Sequence, residues 1–195
     1  MSEGVKLSIK LFIITAVAAL ALGITYAVTE EPIRIQNELA SLEARKAVLP
    51  GAEEFVQIDL SEYKGQYPNV VEAYQGKSGS DTVGYVFKVI SKGYGGDVEL
   101  FVGINSKEDR IENVSIVSHN ETPGLGAKAA GSDFLSQYSG KPAGSPLAVV
   151  RGSATKDTEV QAITGATISS KAVTEGVNSA LELYGRLLKD GGAEG

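Results

Sequence analysis

The sequence predicts an α+β fold: one N-terminal transmembrane helix, then a single domain with a mainly antiparallel sheet and packed helices. Three observations carry this. An uncharged apolar run extends from Leu11 to Val28, the middle of the chain alternates β-rich stretches with turn residues, and an apolar stripe of helical period closes the chain.

Residues 11–28 read LFIITAVAALALGITYAV, and Leu7 to Ile9 extend the run past Lys10, whose charge reaches the interface on its flexible stem. At about 1.5 Å per residue the run suffices to cross a hydrocarbon layer of about 30 Å. Lys6 and Lys10 precede it, while Glu30 and Glu31 follow. The basic flank stays inside, so residues 1–29 read as a cytoplasmic stub and a single span of the cell membrane, with the main domain extracytoplasmic. A cleavable signal peptide also starts with basic residues, but this run is long for one and no clean small-x-small site closes it, although Ala27 keeps that option open.

Residues 30–52 read as an amphipathic connecting helix. Ile35, Leu39, Leu42 and Val48 recur at near-helical spacing, Pro32 suits a first turn, and Pro50-Gly51 stops the run. That apolar face needs a partner, either the domain or a neighbouring subunit. Residues 53–190 form the domain, and 191–195 a glycine-rich tail. Within the domain, strands are predicted at Val70 to Tyr74, Val83 to Ile90, Val98 to Ile104 and Arg110 to Ser118, separated by Gly/Ser/Asn/Asp turn signals. The short 105–109 loop suits an antiparallel hairpin. A helix is expected around Ala127 to Tyr138 and a strand at Pro146 to Arg151. From about Ser169 to Leu188, Val173, Val177, Leu181, Tyr184 and Leu188 form one stripe, with Ser169 or Ser170 as the expected N-cap.

Composition narrows the chemistry. With no cysteine and one histidine, His119, in 195 residues, the chain offers no thiol nucleophile and no cysteine or histidine metal centre, so no metal site is expected. A formal charge of −6 without a basic block argues against nucleic acid. Any redox chemistry requires a borrowed cofactor.

One segment carries such chemistry. Gln161-Ala162-Ile163-Thr164-Gly165-Ala166-Thr167 stands just before the last helix. Small residues at 165 and 166 leave room for a bulky group, and Thr167 offers a hydroxyl at a helix entrance, where unpaired NH groups and the positive dipole end favour a phosphate. The same residues also suit an ordinary helix start. A second segment, His119-Asn120-Glu121-Thr122-Pro123-Gly124-Leu125-Gly126, follows a predicted strand and contains a Pro-Gly turn. A third, Lys92-Gly93-Tyr94-Gly95-Gly96, joins two strands. Each of these two is also consistent with a plain turn, and His119 with a strand cap.

Together these residues resemble a known family. Thr164-Gly165-Ala166-Thr167 is similar to the flavinylation motif Asp-x-x-Ser/Thr-Gly-Ala-Thr of the FMN-binding domain found in the G subunit of Rnf complexes and the C subunit of sodium-translocating NADH:quinone oxidoreductases. Glu121-Thr122-Pro123-Gly124-Leu125-Gly126 resembles a run of the Rnf protein that lies by the flavin, and the likeness extends over nearly the whole chain. One position departs: the leading Asp of the motif is Gln161 here.

The resemblance implies FMN esterified through its phosphate to Thr167 by a flavin transferase that draws on FAD. Thr164, Gly165, Ala166, Tyr94, Glu121, Thr122, Gly124, Leu125 and Gly126 would surround it. It further implies a non-catalytic electron-transfer subunit, working with other membrane and peripheral subunits of an Rnf-type complex that couples ferredoxin:NAD oxidoreduction to sodium or proton translocation. A quinone-linked C-type subunit, a stand-alone membrane-anchored flavin carrier and a flavin-free scaffold remain as alternatives.

Overall fold

The computed structural model describes residues 3–191, so the expected tail, Gly191 excepted, lies outside the described residues. Two compact units divide between Leu42 and Glu43. The first is helical throughout its described length and belongs to α1, Glu3–Val48, which continues into the second. This helix is long and apolar enough to cross a membrane. It is also continuous where the sequence suggested a fresh start at Pro32, which lies inside it. Proline removes one donor but holds a helical φ, so the run continues through it. Thr29, just upstream, spends its hydroxyl on the Thr25 carbonyl at 2.8 Å, as an interior helical residue does, instead of capping a new helix. The stripe expected to pack divides likewise: Ile35 and Leu39 are exposed, whereas Val48 is buried in the second unit.

In that second unit, β1 (Glu54–Ile58), β2 (Val70–Ser78), β3 (Asp81–Lys92), β4 (Asp97–Asn105) and β5 (Arg110–His119) form an antiparallel meander in chain order. Side chains alternate across it with period two. Phe87, Val89, Leu100 and Val102 belong to the larger core, which they share with Val173, Val177, Leu181 and Tyr184 of α3 (Thr167–Gly191). Val86 and Phe101 join Ala44, Val48, Leu49 and Ala52 in a smaller core. Gly76 and Gly103 admit this second layer: a side chain at 76 would strike Leu49 and Ala52, and one at 103 the Val48 carbonyl.

Several elements differ from expectation for local reasons. The helix expected over 127–138 is a 3₁₀ turn, Gly126–Ala130, followed by the single turn α2, Ser132–Leu135, because Gly131 between them is extended. The strand expected at 146–151 shortens to β6, Ala148–Val150, and pairs in parallel with β7, Glu159–Gln161, outside the main sheet. The last helix starts at Thr167, and Leu188 at the end of its stripe is exposed.

Register decides what meets at one end of the sheet. Lys92 pairs with Asp97 across the β3–β4 turn, and Val98 pairs with His119 at the end of β5. The 92–96 turn and the loop leaving His119 are therefore neighbours.

Candidate functional site

The 93–96 turn closes through a hydrogen bond from the Gly93 NH to the Gly96 carbonyl, 2.8 Å, and holds Tyr94 at its tip, 72% exposed. Leaving β5, the loop is set by the Glu121 NH donating to His119 Nδ1 at 3.2 Å. His119 thus serves the backbone at the strand end. Thr122-Pro123-Gly124-Leu125 then makes the expected turn: the Leu125 NH donates to the Thr122 carbonyl, with Gly124 at φ +77°. A second turn of the same form, Ile163 to Ala166, has Gly165 at φ +80° and delivers the chain into α3. The Leu125 side chain lies beside Gly165, joining the two loops.

Glu121 binds these segments together. It is only 6% exposed, and its carboxylate accepts hydrogen bonds from the Gly95 NH at 3.0 Å and the Ser169 hydroxyl at 2.5 Å. Burial works to raise its pKa. Hydrogen bonds from Ser169, Gly95 and the Tyr94 NH, with attraction from His119, outweigh burial and hold the carboxyl below its ordinary value.

Between the three segments lies a cleft of about 440 Å³, lined by Tyr94, Glu121, Thr122, Leu125, Gly126, Gly165, Ala166, Thr167, Ile168 and Ser169. That volume is in the range of cofactor sites. Its walls are divided chemically. Tyr94, Leu125 and Ile168 offer apolar surface suited to a flat ring, and the first turn of α3 offers backbone NH groups and the positive end of a long helix to a phosphate. Ala166, which precedes the helix, has no side-chain acceptor to cap those groups, and no acidic residue occupies the first turn.

A family model described as the FMN-binding domain matches residues 93–182, a span that contains all three cleft segments. Over 194 residues, 94% of this chain and 93% of its relative, the sequence is 43% identical to the G subunit of the Na(+)-translocating ferredoxin:NAD(+) oxidoreductase complex of Acetobacterium woodii. The chain belongs to this G-subunit family. Another member, the G subunit of the ion-translocating oxidoreductase complex of Methanosarcina acetivorans, is 34% identical over 92% of this chain and 94% of its own length. Among solved structures, the C subunit of the Na(+)-translocating NADH-quinone reductase of Parabacteroides distasonis aligns with a TM-score of 0.50 at 22% identity. The alignment covers 76% of this chain and 92% of the other, a likeness of fold.

For this member of the G-subunit family the sequence reading and the cleft overlap closely. Eight of the ten named residues line it, and Thr164 and Gly124 do not. Gly124 acts through its turn, and a side chain there would meet only open space. Thr164 is exposed on the turn before the cleft. Sequence reasoning missed Ile168 and gave Ser169 the wrong task. Ser169 and Ser170 lie inside the first helical turns, so neither is the N-cap. Ser169 reaches Glu121, while the Ser170 hydroxyl donates to the Ala166 carbonyl and accepts the Ile163 NH, both at 3.0 Å. Exposed Ile168, off the core-facing stripe, was the available signal. Gln161 ends β7, where its NH and carbonyl are both held by the Gln137 side chain. Among the described residues no cluster of histidine, aspartate and glutamate is suited to hold a metal ion.

Proposed function

We propose that this protein carries FMN as a phosphoester of Thr167 and relays electrons within a membrane complex that couples ferredoxin:NAD oxidoreduction to sodium or proton movement. The observation that carries this reading is the position of Thr167. It is the first residue of α3 and lines the cleft at the helix end that favours a phosphate, whereas the neighbouring hydroxyls of Ser169 and Ser170 are committed to other partners. Attachment consumes FAD. The Thr167 oxygen bonds to the phosphorus of the FMN half, the phosphoanhydride breaks, AMP departs, and the hydroxyl proton passes to solvent. A flavin transferase performs this step.

When bound, the flavin supplies the electron-accepting ring, and the protein supplies its seat. Thr167 tethers it. The first-turn NH groups of α3 would hold the phosphate charge, and Tyr94, Leu125 and Ile168 would offer apolar surface to the ring. Gly124 and Gly165 keep both loops in the turns that shape the cleft. The two lysines before the apolar stretch and the two glutamates after it support an extracytoplasmic domain. There a tether prevents loss of a cofactor that the outer compartment does not replenish. The ferredoxin-linked complex is favoured over the quinone-linked one by sequence likeness spanning nearly the full chain. Fold alone is common to both.

Co-expression with a flavin transferase, followed by denaturing electrophoresis, tests the reading. The wild-type chain should give a fluorescent band, and Thr167→Ala should give none. A band that persists in that variant removes Thr167 from the proposal.

A further inference from the structure

The Glu121 carboxylate forms part of the cleft wall. It is nine-tenths buried, and backbone closes on it from two sides. A side chain at Gly93 would run into Oε1, and one at Gly126 into Oε2 and, at 2.6 Å, the Ser169 hydroxyl. All its hydrogen-bond donors are neutral: the Gly95 and Tyr94 NH groups and the Ser169 hydroxyl. Among the described residues no lysine or arginine forms an ion pair with it. The three neutral donors stabilise the charge where it stands, and His119, which attracts the carboxylate, forms no ion pair with it among the described residues.

We propose that Glu121 sets the redox potential of the bound flavin, by keeping a fixed negative charge in the cleft wall while bracing the three segments that form the cleft. The inference rests on the FMN reading above. Adding electrons beside a fixed negative charge costs free energy, and the cost grows as screening by water falls. Glu121 therefore holds the potential lower than a neutral residue of the same shape would. It acts through its field and through the loops it ties, so it is a positioning residue.

The two roles separate by substitution in the full-length, flavin-loaded chain. Glu121→Gln keeps the shape and one acceptor oxygen but removes the charge. Ser169→Ala and Glu121→Asp loosen the brace but keep the charge. Redox titration of the flavin absorbance should place Glu121→Gln at a more positive potential, by about 59 mV or more, equivalent to tenfold in a one-electron equilibrium constant. Both charge-keeping variants should titrate near wild type while melting at lower temperature. An unchanged potential in Glu121→Gln overturns the proposal. So does a shift in Ser169→Ala or Glu121→Asp that tracks their loss of stability, and this arm decides the matter even where Glu121→Gln does not fold. A wild-type chain without flavin overturns the FMN reading and this inference together, whereas a loaded chain with charge-independent potential overturns this inference alone.

Discussion

Two threonines three residues apart have different environments. Thr167 lines the cleft at the head of α3, and Thr164 sits exposed on the preceding turn. Thr164→Ala should therefore keep the fluorescent band that Thr167→Ala loses, with stability changed by no more than about 0.5 kcal/mol, as for an exposed loop substitution. Glu121 makes a prediction about acid. Its folded-state pKa lies below its ordinary 4.5, so its contribution to stability is complete above that value and is lost as pH falls through the lowered one. In the flavin-free Thr167→Ala protein, melting temperature should decline in acid, and the added Glu121→Gln substitution should flatten that decline. An equally steep acid limb in the double variant would show that other carboxylates carry it.

At the scale of elements, the cleft depends on how two loops enter and leave regular structure. Gly165, at φ +80°, turns the chain into α3 in a conformation that costs an L-residue about 1–2 kcal/mol. Space is not the constraint there, since a side chain at 165 would make only an ordinary 3.6 Å contact with Leu125. Gly165→Ala should accordingly lower stability by about that amount and slow flavin attachment, measurable by thermal melting and by band intensity over time. An unaltered melting temperature would mean that the turn relaxes without cost. Helix α3 itself is fixed at both faces. Its apolar stripe packs on the sheet, and its first turn is anchored through Ser169 to Glu121 and through Ser170 to Ala166 and Ile163.

For the whole molecule, charge placement around one apolar helix predicts the topology, and the absence of native cysteine makes that prediction directly testable. With Ser61→Cys, an exposed position in the domain, a membrane-impermeant maleimide should label intact cells as fully as lysed ones. Labelling only after lysis would reverse the orientation. Much of this organisation was legible in the chain itself. The β-rich runs at 70–74, 83–90, 98–104 and 110–118 each became a longer strand, because β-branched and aromatic residues bounded by turn signals mark a strand locally, even in β4, where both faces are covered and burial does not alternate. The short edge strand β1 left none: its five residues are all exposed or only partly buried. Likewise β6 and β7 have three residues each and gain their pairing from one another rather than from any local pattern. Thr167, Tyr94 and the Pro-Gly turn were legible as candidates because turn chemistry and the motif are local.

Sequence by itself determined the anchor, the order of the main strands, the stripe of α3 and the residues of the three segments, since each is written in spacing a few residues long. Tertiary structure alone decided that these segments share one cleft. Gly95 and Glu121 are 26 residues apart and Glu121 and Ser169 are 48 apart, so their hydrogen bonds exist only once strand register and helix packing bring the loops together. It also decided that the helix starts at Thr167, leaving Ser169 inside the first turn and facing Glu121. The physical reason is range: propensity and period act between near neighbours, whereas a buried carboxylate takes its donors from whatever the fold places beside it.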